Sequence, residues 1–152
     1  MTHHMAEQAF SFLGIPHYSA LKRADQFIQK NFSRKISLEE IAAASGLSAP
    51  YFSTIFKEEM GENLSNYLNR LRVEKASRLL KETNLPLGKI AYSCGFEDQS
   101  WFSKVFKNYR GINPGKYRQK MKNPAEEIPE SSFSEDYRAL VMPYQAGALK
   151  QT

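Results

Sequence analysis

The cysteine and the three histidines are the residues best suited to nucleophilic or metal chemistry, and their placement argues against both. Cys94 has no His close to it in the sequence to draw off its proton, and the chain has no paired carboxylates and no glycine-rich phosphate loop. Covalent catalysis, including alkyl transfer to Cys94, therefore has no activated group to work with, and Cys94 is expected to be a small buried hydrophobe. His3, His4 and His17 all precede the first helical stretch, which leaves no His/Cys cluster with metal-ligand spacing. A single Cys also excludes a disulfide framework. The expectation is a chain that is not an enzyme and holds no metal or cofactor.

The remaining chemistry is cationic. Residues 20–120 contain 18 Lys and Arg against 10 Asp and Glu, a net charge of +8, whereas residues 1–19 carry −1 and residues 121–152 carry −2. A basic segment between acidic flanks is the charge distribution of a polyanion binder. The 152 residues make one domain with tails. No apolar run approaches the ~20 residues of a membrane span. Residues 1–7 lack a basic stretch followed by an apolar core, so the expected compartment is a reducing cytoplasm, on the nucleoid if the polyanion is chromosomal.

Helical elements must position these cations. From Ala20 the spacing Ala20, Ala24, Phe27, Ile28 predicts a helix ending near Phe32. Ser37 followed three residues later by Glu40 is a capping box, with Leu38, Ile41 and Ala42 as the buried stripe and Gly46 as the stop. Ser48 caps a second helix with Pro50 in its first turn. There Phe52, Ile55 and Phe56 face inward, which points Ala49, Pro50, Ser53, Thr54 and Lys57 outward. Residues 64–82 follow as a rod of roughly 28 Å, with Leu64, Tyr67, Leu68, Leu71, Ala76, Leu79 and Leu80 on the apolar stripe. Arg70, Arg72, Lys75 and Arg78 are interleaved, either as phosphate contacts or as a solvated face. Pro86 ends the rod's extension.

The chain matches itself. Ile36-Ser37-Leu38, Ile41-Ala42 and Gly46-Leu47 fall on Leu85-Pro86-Leu87, Ile90-Ala91 and Gly95-Phe96 at an offset of 49. Phe52-Ser53, Phe56-Lys57, Gly61 and Asn63 fall on Phe102-Ser103, Phe106-Lys107, Gly111 and Asn113 at an offset of 50. One residue is thus inserted in the turn or in the first turn of the second helix. Two copies of helix, glycine turn, helix are too few for a solenoid. They predict an all-α fold of two helix-turn-helix subdomains, at 37–60 and 87–110, joined by the 64–82 helix. A helix-turn-helix offers its second helix to a major groove, and a ~28 Å rod is near the ~34 Å repeat of the duplex. The second copy departs from the first where Pro86 and Lys89 replace the capping Ser37 and Glu40.

Ser37-Leu38-x-x-Ile41-Ala42 with Gly46-Leu47-Ser48, then Ile90-Ala91-x-x-x-Gly95-Phe96-x-Asp98-x-Ser100-Trp101-Phe102-Ser103-x-x-Phe106-Lys107 and Gly111-x-x-Pro114-x-x-Tyr117-Arg118, resemble the AraC/XylS family of bacterial transcription regulators over residues 20–120. The resemblance implies a seven-helix domain of homeodomain-like three-helix units. It also implies double-stranded DNA as partner and activation of transcription through contact with RNA polymerase. Carried over by position, the first reading helix presents Ala49, Pro50, Ser53 and Thr54 to bases, and the second presents Gln99, Ser100, Ser103 and Lys104. Lys57, Arg70, Arg72, Lys107 and Lys116 are the phosphate candidates, and Lys116 and Arg118 are each expected to cap carbonyls or meet the backbone. Gln99 can pair bidentately with adenine and Lys104 can donate to guanine, while Ala49 and Pro50 offer only apolar contact to a thymine methyl. The second head is therefore the richer reader, and the first reads partly through DNA shape. Trp101 is expected to pack as a core or edge aromatic.

Family members that sense ligands carry a separate sensor domain, which the 19-residue head cannot be. The expectation is a stand-alone regulator controlled by abundance, or a fragment whose sensor domain or partner chain lies elsewhere. In the tail, residues 121–152, Ser132 and Glu135 form a capping-box pattern ahead of Phe133, Tyr137, Leu140 and Val141, predicting a short helix over 133–142. A non-specific architectural or protein-interaction module of the same fold is the alternative function.

Overall fold

The computed structural model describes residues 17–125 and 128–137. Among them are α1 (Tyr18–Asn31), α2 (Leu38–Ser45), α3 (Ala49–Met60), α4 (Leu64–Glu82), α5 (Leu87–Ser93), α6 (Gln99–Arg110), α7 (Pro114–Lys122) and a 3-10 turn at Glu130–Ser132, with no strand. Two compact units divide the chain between Arg72 and Val73, inside α4. No helix among the described residues is long and apolar enough to cross a membrane.

In the first unit α1 buries Leu21, Ala24 and Ile28, α2 buries Ile41, α3 buries Phe52 and Phe56, and α4 supplies Tyr67 and Leu71. The rings of Phe56 and Tyr67 meet edge to face at 5.4 Å. In the second unit Val73, Ala76 and Leu80 of α4 pack with Ile90, Phe96, Phe102 and Phe106, and Cys94 is fully buried among them. Phe106 and Tyr117 are T-shaped at 5.1 Å. Burying each such side chain contributes ~1.5–3 kcal/mol. The buried positions of α4 break register at the unit boundary: Tyr67, Leu68 and Leu71 serve one core, and Val73, Ala76 and Leu80 the other. That break explains why Val73, off the expected stripe, is buried.

The repeat has a backbone cause. α2 ends with Gly46 in the left-handed region (φ 84°), Gly46 N–H donating to Ala43 O and Leu47 N–H to Ala42 O. α5 ends the same way, with Gly95 (φ 94°), Gly95 N–H to Tyr92 O and Phe96 N–H to Ala91 O. Both are Schellman turns, which need a residue free of a Cβ at the left-handed position. The caps that open the following helices, Ser48 and Asp98, already sit at the larger offset. The inserted residue is therefore Glu97, in the turn.

Two expectations shift. α1 begins at Tyr18, two residues before Ala20. The tail's capping box does not form: Ser132 N–H is spent on Pro129 O within the 3-10 turn, and Phe133 is extended (φ −83°, ψ 148°). Ser134 takes the cap instead, accepting from Tyr137 N–H at 3.2 Å, so helix starts at 135 rather than 133. Leu140 and Val141 of the expected stripe, and the apolar head before His17, lie outside the described residues.

Candidate nucleic-acid interface

Each unit presents its second helix with the buried aromatics on one side and small polar or basic residues on the other. On α3, Phe52, Ile55 and Phe56 are buried, Pro50, Ser53, Thr54 and Lys57 are exposed, and Ala49 is half-buried. On α6, Phe102, Val105 and Phe106 are buried, Gln99, Ser100, Lys104 and Lys107 are exposed, and Ser103 is half-buried. Both faces come from the same 3.6-residue spacing. The eight expected base-reading residues thus gather four to a helix, each set within its own unit.

The entry turns of the two helices differ. Ser48 Oγ accepts from Tyr51 N–H at 3.4 Å, a long neutral cap. Asp98 Oδ1 accepts from Trp101 N–H at 2.7 Å, a short bond to a carboxylate, favoured further at a helix N-terminus. The chemistry on the faces differs too. The Thr54 hydroxyl donates back to Pro50 O at 3.2 Å, which leaves it as an acceptor with a methyl group. Gln99 lies against Gly88 of α5, where an added Cβ would come within 3.3 Å of Gln99 Oε1, so the absence of a side chain at 88 leaves Gln99 its space. Tyr51 and Trp101, equivalent in the repeat, are 47% and 50% exposed at the edge of their helices. Tyr51 OH shares a 2.9 Å hydrogen bond with His17 Nε2; Trp101 is an edge aromatic rather than a core one.

The phosphate candidates separate into two groups. Lys57 and Lys107 are exposed in the last turns of α3 and α6, and Lys116 is exposed in the first turn of α7, its backbone N–H donating to the Asn113 cap at 2.8 Å. Arg70 and Arg72 are engaged inside the first unit. Arg70 Nη2 pairs with Glu62 at 3.2 Å and its guanidinium lies 5.3 Å from the Tyr67 ring centre. Arg72 donates from Nε to Phe32 O at 2.8 Å and from Nη2 to Arg34 O at 3.1 Å. Lys75 Nζ donates to Ser93 O, and Arg118 Nε to Leu80 O. Arg118 thus caps a carbonyl of α4, the first of the two roles expected of it.

Second to the faces is what holds them rigid. The turn before α3 is fixed by buried Ser45, whose hydroxyl donates to Ala42 O and accepts from Leu47 N–H, and by Arg23 Nη2 donating to Ser45 O at 2.8 Å. Behind it, Tyr67 OH donates to the buried Asp25 carboxylate at 2.5 Å, with Gln29 Nε2 donating to both partners. Burial, then the hydrogen bond to Asp25 and the Asp25 charge, push the Tyr67 hydroxyl well above the ordinary tyrosine range. The Asp98 cap and the Ser45 clasp carry no periodicity signal; a polar residue four positions before the buried stripe that starts at Phe102 is the trace Asp98 leaves in sequence. No group of His, Cys, Asp and Glu among the described residues could hold a metal ion.

Comparison with known proteins agrees with the helix-turn-helix fold. The helix-turn-helix domain family matches residues 41–120. The chain is 32% identical over 116 residues to an uncharacterized helix-turn-helix transcriptional regulator, YisR of Bacillus subtilis, covering 76% of this chain and 40% of that protein. It is 35% identical over 92 residues to the multiple antibiotic resistance protein MarA of Escherichia coli, covering 60% of this chain and 72% of MarA. Among solved structures, the C-terminal domain of AraT, a response regulator from Geobacillus stearothermophilus, superposes with a TM-score of 0.65 at 35% identity, over 76% of this chain and 93% of that one. The chain spans 40% or less of the first curated relatives it matches.

Proposed function

Because the chain belongs to the AraC/XylS-type helix-turn-helix family of DNA-binding transcription regulators, we propose that it reads a specific duplex sequence with α3 and α6 in successive segments of the major groove. The observation that carries this reading is the duplicated exposed face, polar and basic residues opposite buried phenylalanines, in a segment of net charge +8. Affinity comes from phosphate, through Lys57, Lys107 and Lys116. Arg70 and Arg72 add to it only by leaving Glu62 and the carbonyls of Phe32 and Arg34.

Specificity is unequal between the heads. Gln99 and Lys104 supply hydrogen-bond readout of adenine and guanine, with Ser100 and Ser103 as permissive partners. Ala49, Pro50, Ser53 and Thr54 supply methyl contact and weaker hydrogen bonds, so the first half-site is read partly by shape. The output is activation, by contact with RNA polymerase on promoters in the cytoplasmic nucleoid; transcription with purified polymerase on a selected site checks its sign.

Selection from a randomised duplex library at moderate salt tests the reading. Two enriched blocks about 10 base pairs apart are expected, with Lys104→Ala relaxing one block and Ser53→Ala the other. Salt-sensitive binding with no enriched sequence would replace it with the non-specific architectural function.

A further inference from the structure

Residues 128–137 return to the second unit and fasten at the end of its reading helix. Ser134 N–H donates to Gly111 O at 2.8 Å. The Tyr137 ring lies so close over Gly111 that an added Cβ would stand 2.6 Å from ring carbons Cγ and Cδ1. Gly111 is the left-handed cap of α6 (φ 86°), so this bare backbone both ends the reading helix and seats the ring. Phe133 and Tyr137 stack with ring centres 5.5 Å apart, and Lys120 Nζ is 5.8 Å from the Phe133 centre. Lys116 Nζ donates to Ser132 Oγ at 3.1 Å.

The charges are opposed. Residues 128–137 contain Glu130, Glu135 and Asp136 and no base, and all three acids are exposed. α7 beneath them carries Lys116, Arg118, Lys120 and Lys122 and no acid. What the lysines touch, however, is a neutral hydroxyl and a ring face. A phosphate oxygen is a charge-assisted acceptor, with a hydrogen bond roughly twice as strong, so DNA outcompetes both contacts once it arrives. The nearby carboxylates meanwhile repel it.

We propose that residues 128–137 are an acidic strap that occupies Lys116 and Lys120 in the free protein and surrenders both lysines to DNA phosphate on binding. The strap weakens association with every duplex by the same factor. Non-specific sites, whose binding comes almost wholly from phosphate, are thereby pushed below useful occupancy, while a site with base contacts retains enough. The proposal rests on Lys116 meeting phosphate.

The test uses the full chain, with Tyr137→Ala to unseat the ring and Glu130→Gln/Glu135→Gln/Asp136→Asn to remove the charge while keeping the ring. Binding to a mixed-sequence duplex of roughly two helical turns is measured across salt, and the Gly111 Hα chemical shift reports the overlying ring. Both variants are expected to bind roughly two- to tenfold tighter at low salt, the factor of one net hydrogen bond. The charge variant's gain should vanish at high salt. The ring-current shift of Gly111 Hα should disappear as wild type saturates with duplex. Wild-type affinity in both variants, or a Gly111 shift that persists in the complex, would overturn the strap. Lys116→Ala separates the two layers: a salt slope reduced by about one beside inert strap variants ends the strap alone, and an unchanged slope ends the phosphate reading of Lys116 and the strap with it.

Discussion

Tyr67 donates a hydrogen bond from its hydroxyl to a carboxylate that is 5% exposed, and that pairing ties α1 to α4 beside α3. Its hydroxyl ionises far above the ordinary value, first because it is buried, then because it donates a hydrogen bond to Asp25, and then because Asp25 is negative. The unfolded chain ionises near pH 10. The folded group's pKa is raised, so its contribution is complete below that pH and declines as the pH climbs above it. Tyr67→Phe should cost on the order of 1.5–3 kcal/mol at neutral pH, the range for a hydrogen bond to a charged group. It should also flatten the alkaline fall in melting temperature relative to wild type. Thermal melts from neutral to alkaline pH check both, and a variant with the wild-type melting temperature and the same alkaline fall would remove the pair's structural role. On the face proposed to meet DNA the corresponding single residue is Lys104. Lys104→Ala should lose ~1–3 kcal/mol of discrimination at one base pair, measured by competition between the selected site and its single-base variants.

At the scale of the element, the caps rank α3 and α6. The Asp98 cap is short and charged, whereas the Ser48 cap is long and neutral. Cap removal spans ~0.5–2 kcal/mol, and Asp98→Ala should fall near the top of that range and Ser48→Ala near the bottom, as read by denaturant unfolding. Equal losses would mean that packing of Phe52 and Phe102, rather than the cap, sets where each helix starts. The sequence makes the first unit plainer than the second. Ser37 and Glu40 form their reciprocal bonds, Ser37 N–H to the carboxylate at 2.8 Å and Glu40 N–H to Ser37 Oγ at 3.1 Å, and Ser48 and Pro50 open α3 as their types demand. α5 starts at Leu87, behind Pro86 and with no side-chain cap, and only the repeat itself reveals it. The outward faces of α3 and α6 are legible because periodicity alone fixes them. The contacts that joined distant residues are not: His17 with Tyr51, Arg72 with the Phe32 carbonyl, and Tyr137 over Gly111 span 26 to 40 residues, and no local pattern encodes them. Ser132 misleads for a related reason, since Pro129 sets a turn that consumes its N–H before a helix can form.

For the whole molecule, the salt dependence of binding would distinguish which cations meet DNA. On the proposed reading, Lys57, Lys107 and Lys116, with Lys120 once the strap leaves, would make four phosphate contacts. The logarithm of the binding constant should then fall against the logarithm of salt with a slope of about −3.6, at −0.9 per contact. Were Arg70 and Arg72 also on phosphate, the slope would approach about −5.4. Their internal partners argue for the smaller figure, because each arginine would abandon two good acceptors in the first unit to gain a solvated one. Arg72→Ala is the decisive variant. It removes two bonds that hold α4 to the segment after α1, so it should destabilise the fold by ~1–3 kcal/mol while leaving the salt slope at the wild-type value. A slope reduced by about one with unchanged stability would show instead that Arg72 leaves its carbonyls for the duplex, and that the linker helix itself lies along the DNA backbone.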